Sequence, residues 1–434
     1  MKILFTKKYS LKKIMNIIKK RQSKRADVKS DVSKIIEYVR KDKDRALFAL
    51  TKKFGGANIK KIEVSRTEVL EAYSLVNKNV IKSLKMAKAN IEKFHNGNVI
   101  KKEPVISTTK GVSVWREFRP IEKVGLYIPG GKAAYPSTVL MLAIPAKIAG
   151  CKEIILCVPP NKDGKVAESV LVAADICGVS RIFKVGGAQA IAAMAYGTES
   201  IPKVSKIFGP GNSYVTTAKM LVYGEVSIDM PAGPSEILII ADESANPEWV
   251  AADLLSQLEH GYDSQAILVT FSKSFAKQIQ EKVLEQSVSL KRKEIIDKSL
   301  LNSFIVIVKN RKQACDLINE YAPEHLEIVV NNPNEILNEI NNAGSIFLGN
   351  YSSEALGDYA AGSNHTLPTS GYAKMFSALS VESFGKKVQI QKVDKSGLES
   401  LIKTVETLAT EEGLDAHKNA VSLRFLKNHS DRFD

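Results

Sequence analysis

From about residue 123 the chain alternates short, almost wholly apolar runs with longer segments whose apolar residues recur at helical spacing: VGLYIPG, STVLMLAIPAKIAG, EIILCVPP, VAESVLVAADICG, RIFKVGG, AQAIAAMAYG, KIFGPG and VTTAKMLVYG. Strands that read apolar on both faces belong in a parallel sheet covered by helices on each side, and glycines mark most of the helix ends. The pattern predicts a βα series, and residues 124–236 read as one domain. After SEILIIADE a second series follows: PEWVAADLLSQLEHG as helix, QAILVTFS as strand, a charged helix near 273–290, then FIVIVK, RKQACDLINEYA, LEIVV, NEILNEINNA and SIFLG. It predicts a second parallel sheet.

The stretch 25–123 is richer in charge and helical signal, and WREFRPIEKVGLYIPG reads as its crossing into the first series. Residues 25–123 are expected to join 237–378 in one discontinuous domain, with 124–236 inserted. The last segment, 379–434, holds a strand-like VQI, the helix LESLIKTVETLATEEG and then LDAHKNAVSLRFLK; it reads as a tail that docks on a partner chain. The expected fold is α/β: two Rossmann-like parallel-sheet domains, one inserted in the other, between a basic N-terminal arm at 1–24 and this tail.

A chain of 434 residues with 44% hydrophobic content can bury more than one core, which suits two domains. No window approaches the roughly 20 apolar residues of a membrane span, and the start lacks the apolar stretch and cleavage site of a secretory signal. The formal charge of +15 is concentrated in the first 25 residues, which carry ten Lys/Arg and no acid. That segment could be an organellar presequence or a membrane-surface helix, but an arm packed on a neighbouring domain or subunit accounts for it with less. The charge favours anionic ligands without requiring nucleic acid, since no zinc knuckle, phosphate loop or aromatic-studded basic face accompanies it. The four cysteines, Cys151, Cys157, Cys177 and Cys315, have no CxxC spacing, which fits a reducing, cytoplasmic compartment.

Three glycine turns follow strands of the first series: Gly130-Gly131, Gly186-Gly187 and Gly209-Pro210-Gly211-Asn212. Each is explicable as a tight βα turn. Three in one sheet, flanked by Tyr127, Gln189 and Asn212, make a nucleotide crevice credible, although none completes GxGxxG. In SQLEHG, Gln257 and His260 stand i, i+3 and would share a helix face able to hold one ion; alternatively Gln257 is exposed and His260 closes the helix before Gly261. Asp358 follows the strand SIFLG, the edge at which open sheets bind ligands, and His365 lies in the same loop. His417 sits in the tail. Of the six histidines, His95 and His429 read as solvated. Together Gln257, His260, Asp358 and His417 offer two nitrogens and two oxygens, a set zinc tolerates.

The segment YAPEHLE sets Glu324 beside His325 directly after Pro323, which closes the preceding helix and leaves both on an extended entry to LEIVV. Neighbours in an extended segment point to opposite sides. They are poorly placed to bond each other but can present two bases to one substrate. The pair precedes its strand, whereas open α/β folds usually bind ligands beyond strand ends, so the residues alone leave the question open.

The motifs GLYIPGGKAAYPSTVLM, KVGGAQAIAAMAYGT, GPGNSYVTTAK, DMPAGPSEILIIAD, LLSQLEHG, YAPEHLEI, NAGSIFLG, GDYAAGSNHTLPTSG and EGLDAHKNAV, in that order over roughly residues 30–425, resemble histidinol dehydrogenase. The resemblance implies a zinc-containing homodimer that carries out the last two steps of histidine biosynthesis, taking L-histidinol through L-histidinaldehyde to L-histidine with two NAD. It implies one zinc per subunit, held by Gln257, His260 and Asp358, with His417 lent by the other subunit, so that active sites are shared. Ser235, Gln257, His260, His325, Asp358, His365, Glu412 and His417 then match substrate contacts, and Tyr127, Gln189 and Asn212 the NAD site. Glu324 and His325 become the catalytic bases. No nucleic acid or membrane partner is implied. On residues alone two other classes compete: a metal-dependent hydrolase in which Glu324 activates a zinc-bound water, which leaves the first βα series without a task, and a basic nucleic-acid-binding module.

Overall fold

The computed structural model describes residues 1–20, 28–99, 102–130, 134–231 and 233–424. Residues 21–24 of the expected arm, Gly131 of the first glycine turn, and His429 with the rest of the last ten residues lie outside the described residues. The chain forms two compact units, Met1–Val99 with Ile121–Phe384, and Ile100–Pro120 with Gly385–Asp434.

The first unit opens with β1 (Lys2–Phe5) and α1 (Leu11–Ile18), then α2 (Lys29–Gly55), α3 (Arg66–Leu75) and α4 (Lys78–Gly97). β2 (Ile106–Thr109) and β3 (Val112–Pro120) belong to the second unit. The first βα series comprises β4 (Lys123–Tyr127), α5 (Pro136–Ala149), β5 (Glu153–Cys157), α6 (Glu168–Cys177), β6 (Arg181–Phe183), α7 (Gly187–Tyr196), β7 (Lys206–Phe208), α8 (Ser213–Val222) and β8 (Ser227–Ile228). The second comprises β9 (Glu236–Ala241), α9 (Pro247–Leu258), β10 (Gln265–Thr270), α10 (Lys273–Ser287), α11 (Lys293–Leu300), β11 (Phe304–Ile307), α12 (Arg311–Tyr321), β12 (His325–Val329), α13 (Pro333–Leu337), β13 (Ser345–Leu348) and α14 (Glu354–Tyr359). β14 (Gly385–Val393), α15 (Lys395–Glu411) and α16 (Asp415–Ser422) return to the second unit.

Both series form parallel sheets. The first has spatial order β6-β5-β4-β7-β8 and the second β1-β11-β10-β9-β12-β13. Counted from the first strand of each series, both run 3-2-1-4-5, the Rossmann-like order, with the reversal between β4 and β7 in one and between β9 and β12 in the other. Every residue of β9, β10 and β12 is buried, as strands covered on both faces require. Because β1 pairs with β11, the five-stranded sheet is inserted in sequence within the six-stranded one.

Two expectations are corrected here. Helices α2, α3 and α4 do not join the second sheet: α2 packs on α7 and α8, α3 on α6, and α4 on α5 and α6. The reason is visible in composition, since α5 and α7 are apolar nearly all round and are buried along almost their whole length, so an outer layer has to cover them. Val32, Val39 and Leu47 of α2 accordingly share a core with Phe183, Ile191 and Val222. The first 20 residues are not a separate arm either. β1 is an edge strand, and Ile14, Met15 and Ile18 of α1 are buried in the core under the second sheet, with Ser10 capping the helix and its lysines facing outward.

In the second unit β14, β3 and β2 form an antiparallel sheet, in register from Gly385 opposite Pro120 to Val393 opposite Val112, and α15 packs on α16. The departing tail therefore begins at Gly385 rather than 379, and takes residues 100–120 with it. Leu379, Val381 and Phe384 are core residues of the first unit. Among the described residues of the second unit, Val112 and Ala409 are the only buried hydrophobics, while Val105, Ile106, Val388, Val393, Leu408, Leu414 and Leu423 are exposed. No described helix is long and apolar enough to cross a membrane.

Candidate active site

The site is built at the amino end of β9 and β12, the two strands flanking the reversal of the second sheet. α12 ends at Tyr321, and Ala322, fully buried, takes a left-handed conformation (φ 53°) that turns the chain sharply into β12. Glu324 and His325 emerge from this turn 6% and 3% exposed. Glu324 Oε2 accepts the Glu236 N–H at 2.9 Å, and His325 Nδ1 lies 3.2 Å from the Glu236 carbonyl. A carbonyl only accepts, so Nδ1 carries the proton in the neutral ring. His325 Nε2 is then buried with no hydrogen-bond partner, 3.6 Å from Asp358 Oδ1 and 4.0 Å from Glu354 Oε1.

Burial pushes the Glu324 carboxyl up to about 8, against the pull of His325 and the Glu236 N–H. For His325 burial favours the neutral form, but Glu324, Asp358 and Glu354 outweigh it and raise the imidazole to about 10.

α9 runs antiparallel to its strands, so its C-terminus comes to this same edge. Gln257 is fully buried there, while His260 is exposed beyond the helix end. α14 carries Asp358 back from the end of β13 to the amino edge, so Asp358 sits at the opposite end of the sheet from the one its position after SIFLG suggests. Donor atoms of His260, Glu354 and Asp358 lie within 4.8 Å of one another. The Gln257 amide has two orientations. In one its nitrogen donates to Glu354 Oε1 and its oxygen accepts the Glu236 N–H, both at 3.2 Å; in the other its oxygen faces Glu354 Oε1 with no hydrogen between. With one imidazole and two carboxylates converging, and the Gln257 amide beside Glu354, the donor set fits a borderline divalent ion such as zinc.

Sequence reasoning missed Glu354 and Glu236. Glu354 stands four residues before Asp358 on α14 and so on the same helix face, a spacing that could have exposed it. It is buried, its Oε2 accepts from Ser256 Oγ at 2.9 Å, and burial together with Asp358 raises its pKa. Asp358 is held low: burial opposes its charge, but His325, His365 and His260 outweigh that. Below them Glu327 Oε1 accepts the Glu354 N–H at 2.8 Å, and Ser353 Oγ donates to Asp253 at 2.6 Å, fastening α14 to α9 and β12. Glu236 heads the apolar strand EILIIA; its side chain accepts from the Ser370 N–H (2.8 Å) and Tyr321 OH (3.2 Å).

His365 has both ring nitrogens engaged by the protein. Nδ1 donates to the Asp358 carbonyl at 3.0 Å, and Nε2 accepts from Thr138 Oγ1 at 3.2 Å. Half-buried Ser235 lines a cavity with Glu324, His365 and the Gly209 turn. At the carboxyl edge of the first sheet, Tyr127 ends β4 and its OH accepts the Gly187 N–H at 3.1 Å; Gln189 is buried on α7, and the Asn212 side chain caps α8 through the Val215 N–H (3.2 Å). These three residues flank the β4/β7 reversal, where doubly wound sheets bind ligands. Glu412 and His417 lie in the second unit, both exposed, after α15 and on α16. His95, expected to be solvated, is 2% exposed on α4. All four cysteines are free, and burial pushes each thiol upward, so none is a ready thiolate.

The sequence profile of histidinol dehydrogenase matches residues 18–425. A histidinol dehydrogenase of Bacteroides fragilis (strain YCH46) is 53% identical over 394 residues, 91% of this chain and 92% of that protein. One from Methanocaldococcus jannaschii is 49% identical over 408 residues, 94% of this chain and 95% of that protein. The crystal structure of histidinol dehydrogenase from Elizabethkingia anophelis superposes with a TM-score of 0.90 at 49% identity, covering 92% of this chain and 93% of that one. A family profile matched from residue 18 to 425, with relatives about half identical over nine-tenths of the chain, places this chain in the histidinol dehydrogenase family.

Proposed function

We propose that this chain oxidises L-histidinol through L-histidinaldehyde to L-histidine, the last two steps of histidine biosynthesis, using two NAD, one zinc per subunit and active sites shared across a cytoplasmic homodimer. The observation that carries the reading is the buried Nε2 of His325, unpartnered and aimed at the His260–Glu354–Asp358 cluster, with Glu324 on the wall of the adjoining cavity. Zinc, held by Gln257, His260, Asp358 and the partner subunit's His417, would fix the nitrogens of the amino alcohol, and NAD would take up one hydride in each oxidation.

The remaining work falls to the chain's own residues. The Glu236 carbonyl holds the proton on Nδ1, so Nε2 of neutral His325 accepts the alcohol proton as the carbinol carbon loses hydride. Two of the carboxylates that raise His325, Asp358 and Glu354, belong to the group a bound dication would neutralise, which would lower the imidazole toward neutral pH and free its lone pair. Glu324, its carboxyl raised toward the working pH, takes a proton from the water that adds to the aldehyde, and His325 accepts the hydrate proton in the second oxidation. Ser235 and His365 line the substrate side, with Glu412 as a further contact; Tyr127, Gln189 and Asn212 line the dinucleotide side. The second unit, with its exposed apolar residues and scarcely any buried ones, has the character of a surface completed by another copy.

The test is to load the purified protein with zinc and follow NADH formation with L-histidinol. Two NADH per histidinol, with histidine as product, is the expected result; no reduction of NAD by a zinc-loaded dimer would end the reading.

A further inference from the structure

A second group of charges is sealed in the first unit, away from the acid–base cluster. Lys219 of α8 and Asp229, just past β8, form an ion pair in which each side chain is 2% exposed. Lys219 Nζ also donates to the carbonyls of Gly209 (3.0 Å) and Met230 (3.2 Å). The Asp229 carboxylate accepts the N–H groups of the same two residues, each at 2.7 Å. One ion pair thus engages the N–H and the carbonyl of both Gly209 and Met230.

Gly209 opens the turn that leads to Asn212 and α8, and Met230 lies on the segment that leads to Ser235 and β9. Both residues line the cavity that also contains Ser235, Glu324 and His365. The turn has little room to relax, because Gly209 sits at φ +122° and a Cβ there would overlap the Tyr127 carbonyl oxygen. A buried ion pair contributes little net stability over an apolar pair of similar volume, since desolvation offsets the attraction. What the charges add is a directional hold on two backbone segments, which apolar side chains cannot supply.

We infer that Lys219 and Asp229 are positioning residues, which hold the dinucleotide-side turn at Gly209 in fixed register with the Ser235–Glu324 wall on which the substrate is oxidised. The inference rests on the proposed function. Neither residue is expected to touch the substrate or the metal. Misplacing the turn would move the hydride acceptor relative to the reacting carbon and leave the zinc site intact.

The test compares wild type, Lys219→Met and the double variant Lys219→Met/Asp229→Leu, which leaves no unpaired buried charge. The double variant should be more heat-stable than the single one and keep its full zinc content. Its Kd for NAD, measured by calorimetry, should still rise, and kcat for both half-reactions should fall about 10- to 100-fold, as a displacement near 1 Å predicts. A stable double variant with wild-type NAD affinity and kcat would overturn the inference and leave a merely structural pair. Should the double variant not fold, the isosteric Asp229→Asn is read the same way, with wild-type NAD affinity and kcat again decisive against it. Wild-type protein that does not oxidise histidinol would instead sink the proposed function, so the two failures are distinguishable.

Discussion

Glu324 and His325 are chain neighbours that hang from one residue instead of bonding to each other. The Glu236 N–H binds Glu324 Oε2 at 2.9 Å, the Glu236 carbonyl faces His325 Nδ1 at 3.2 Å, and the two side chains stay 3.8 Å apart. Glu236 is itself pinned through its carboxylate by Ser370 and Tyr321. In the mechanism proposed above, separate anchoring would let one base change its protonation while the other keeps its place, which a two-stage oxidation needs.

Replacing Glu324 with glutamine should therefore divide the reaction. The variant retains an oxygen able to accept the Glu236 N–H, and should keep its zinc and still carry out the first hydride transfer. It should lose aldehyde oxidation by about 100-fold or more, the usual scale for a deleted general base. NADH counted per histidinol should fall from two toward one, with aldehyde recoverable by a carbonyl trap. Equal loss of both half-reactions with zinc retained would contradict separate roles.

The raised carboxyl of Glu324 gives a pH signature. A base works only when deprotonated, and a folded pKa near 8, in place of the ordinary carboxylate range, moves the rising limb of the profile upward. With histidinaldehyde as substrate, the rate should climb about tenfold per pH unit below that value and level off above it. Glu324→Gln should lack this limb. A wild-type rate already flat from pH 6 would exclude Glu324 as the titrating base.

Much of this arrangement was readable in the chain, and the exceptions have physical causes. Apolar runs at βα spacing are dictated by burial on both faces of a sheet, so both sheets could be read directly. Which sheet the helices of 25–123 cover could not be read from those helices, because an amphipathic face says what it avoids and not what it meets. The clue lay in α5 and α7, whose all-round apolar sequences demanded a second layer. Helical spacing put Gln257 and His260 on one face, and the structure places both beside Glu354. Asp358 was assigned to the wrong edge because the short α14, which reverses the chain, leaves little periodicity in six residues. Glu236 and Lys219 were missed because a single charge at the head of a strand or inside a helix looks like any solvated residue until its partners, Tyr321 or Asp229, are brought in from far along the chain.

Glu354, absent from the motif-derived ligand set, should matter to the metal. Its Oε1 faces the Gln257 amide and its carboxylate is grouped with His260 and Asp358, so Glu354→Gln removes a charge and frees the orientation of Gln257. Zinc affinity should fall about 10- to 100-fold, as for partners that orient metal ligands, with Asp358→Asn at least as severe. Competition against a chromophoric chelator measures it directly. Wild-type affinity in Glu354→Gln would show that the carboxylate only packs.

The first 20 residues should behave as core. Ile14 is fully buried beneath the second sheet, so Ile14→Ala should cost about 2–5 kcal/mol of stability. Lys12→Ala and Lys13→Ala, on the exposed side of α1, should stay within about 0.5 kcal/mol of wild type. Chemical denaturation of the three variants distinguishes an integral strand and helix from a detachable leader, for which Ile14→Ala would be neutral.

Site sharing has the sharpest arithmetic. His260 belongs to the first unit and His417 to the second, and if each site takes His260 from one chain and His417 from the other, then His260→Asn and His417→Asn homodimers are both inactive. A heterodimer of the two variants contains one site in which both residues are mutated and one in which both are intact. Random re-association of equal amounts makes half the dimers mixed, so activity should return to about a quarter of wild type for a two-fold dimer. A within-chain site predicts no return at all, because every site then carries one lesion. Re-associated samples verified as heterodimers by differential tagging, yet still inactive, would exclude a shared site and remove His417 from the zinc coordination proposed above.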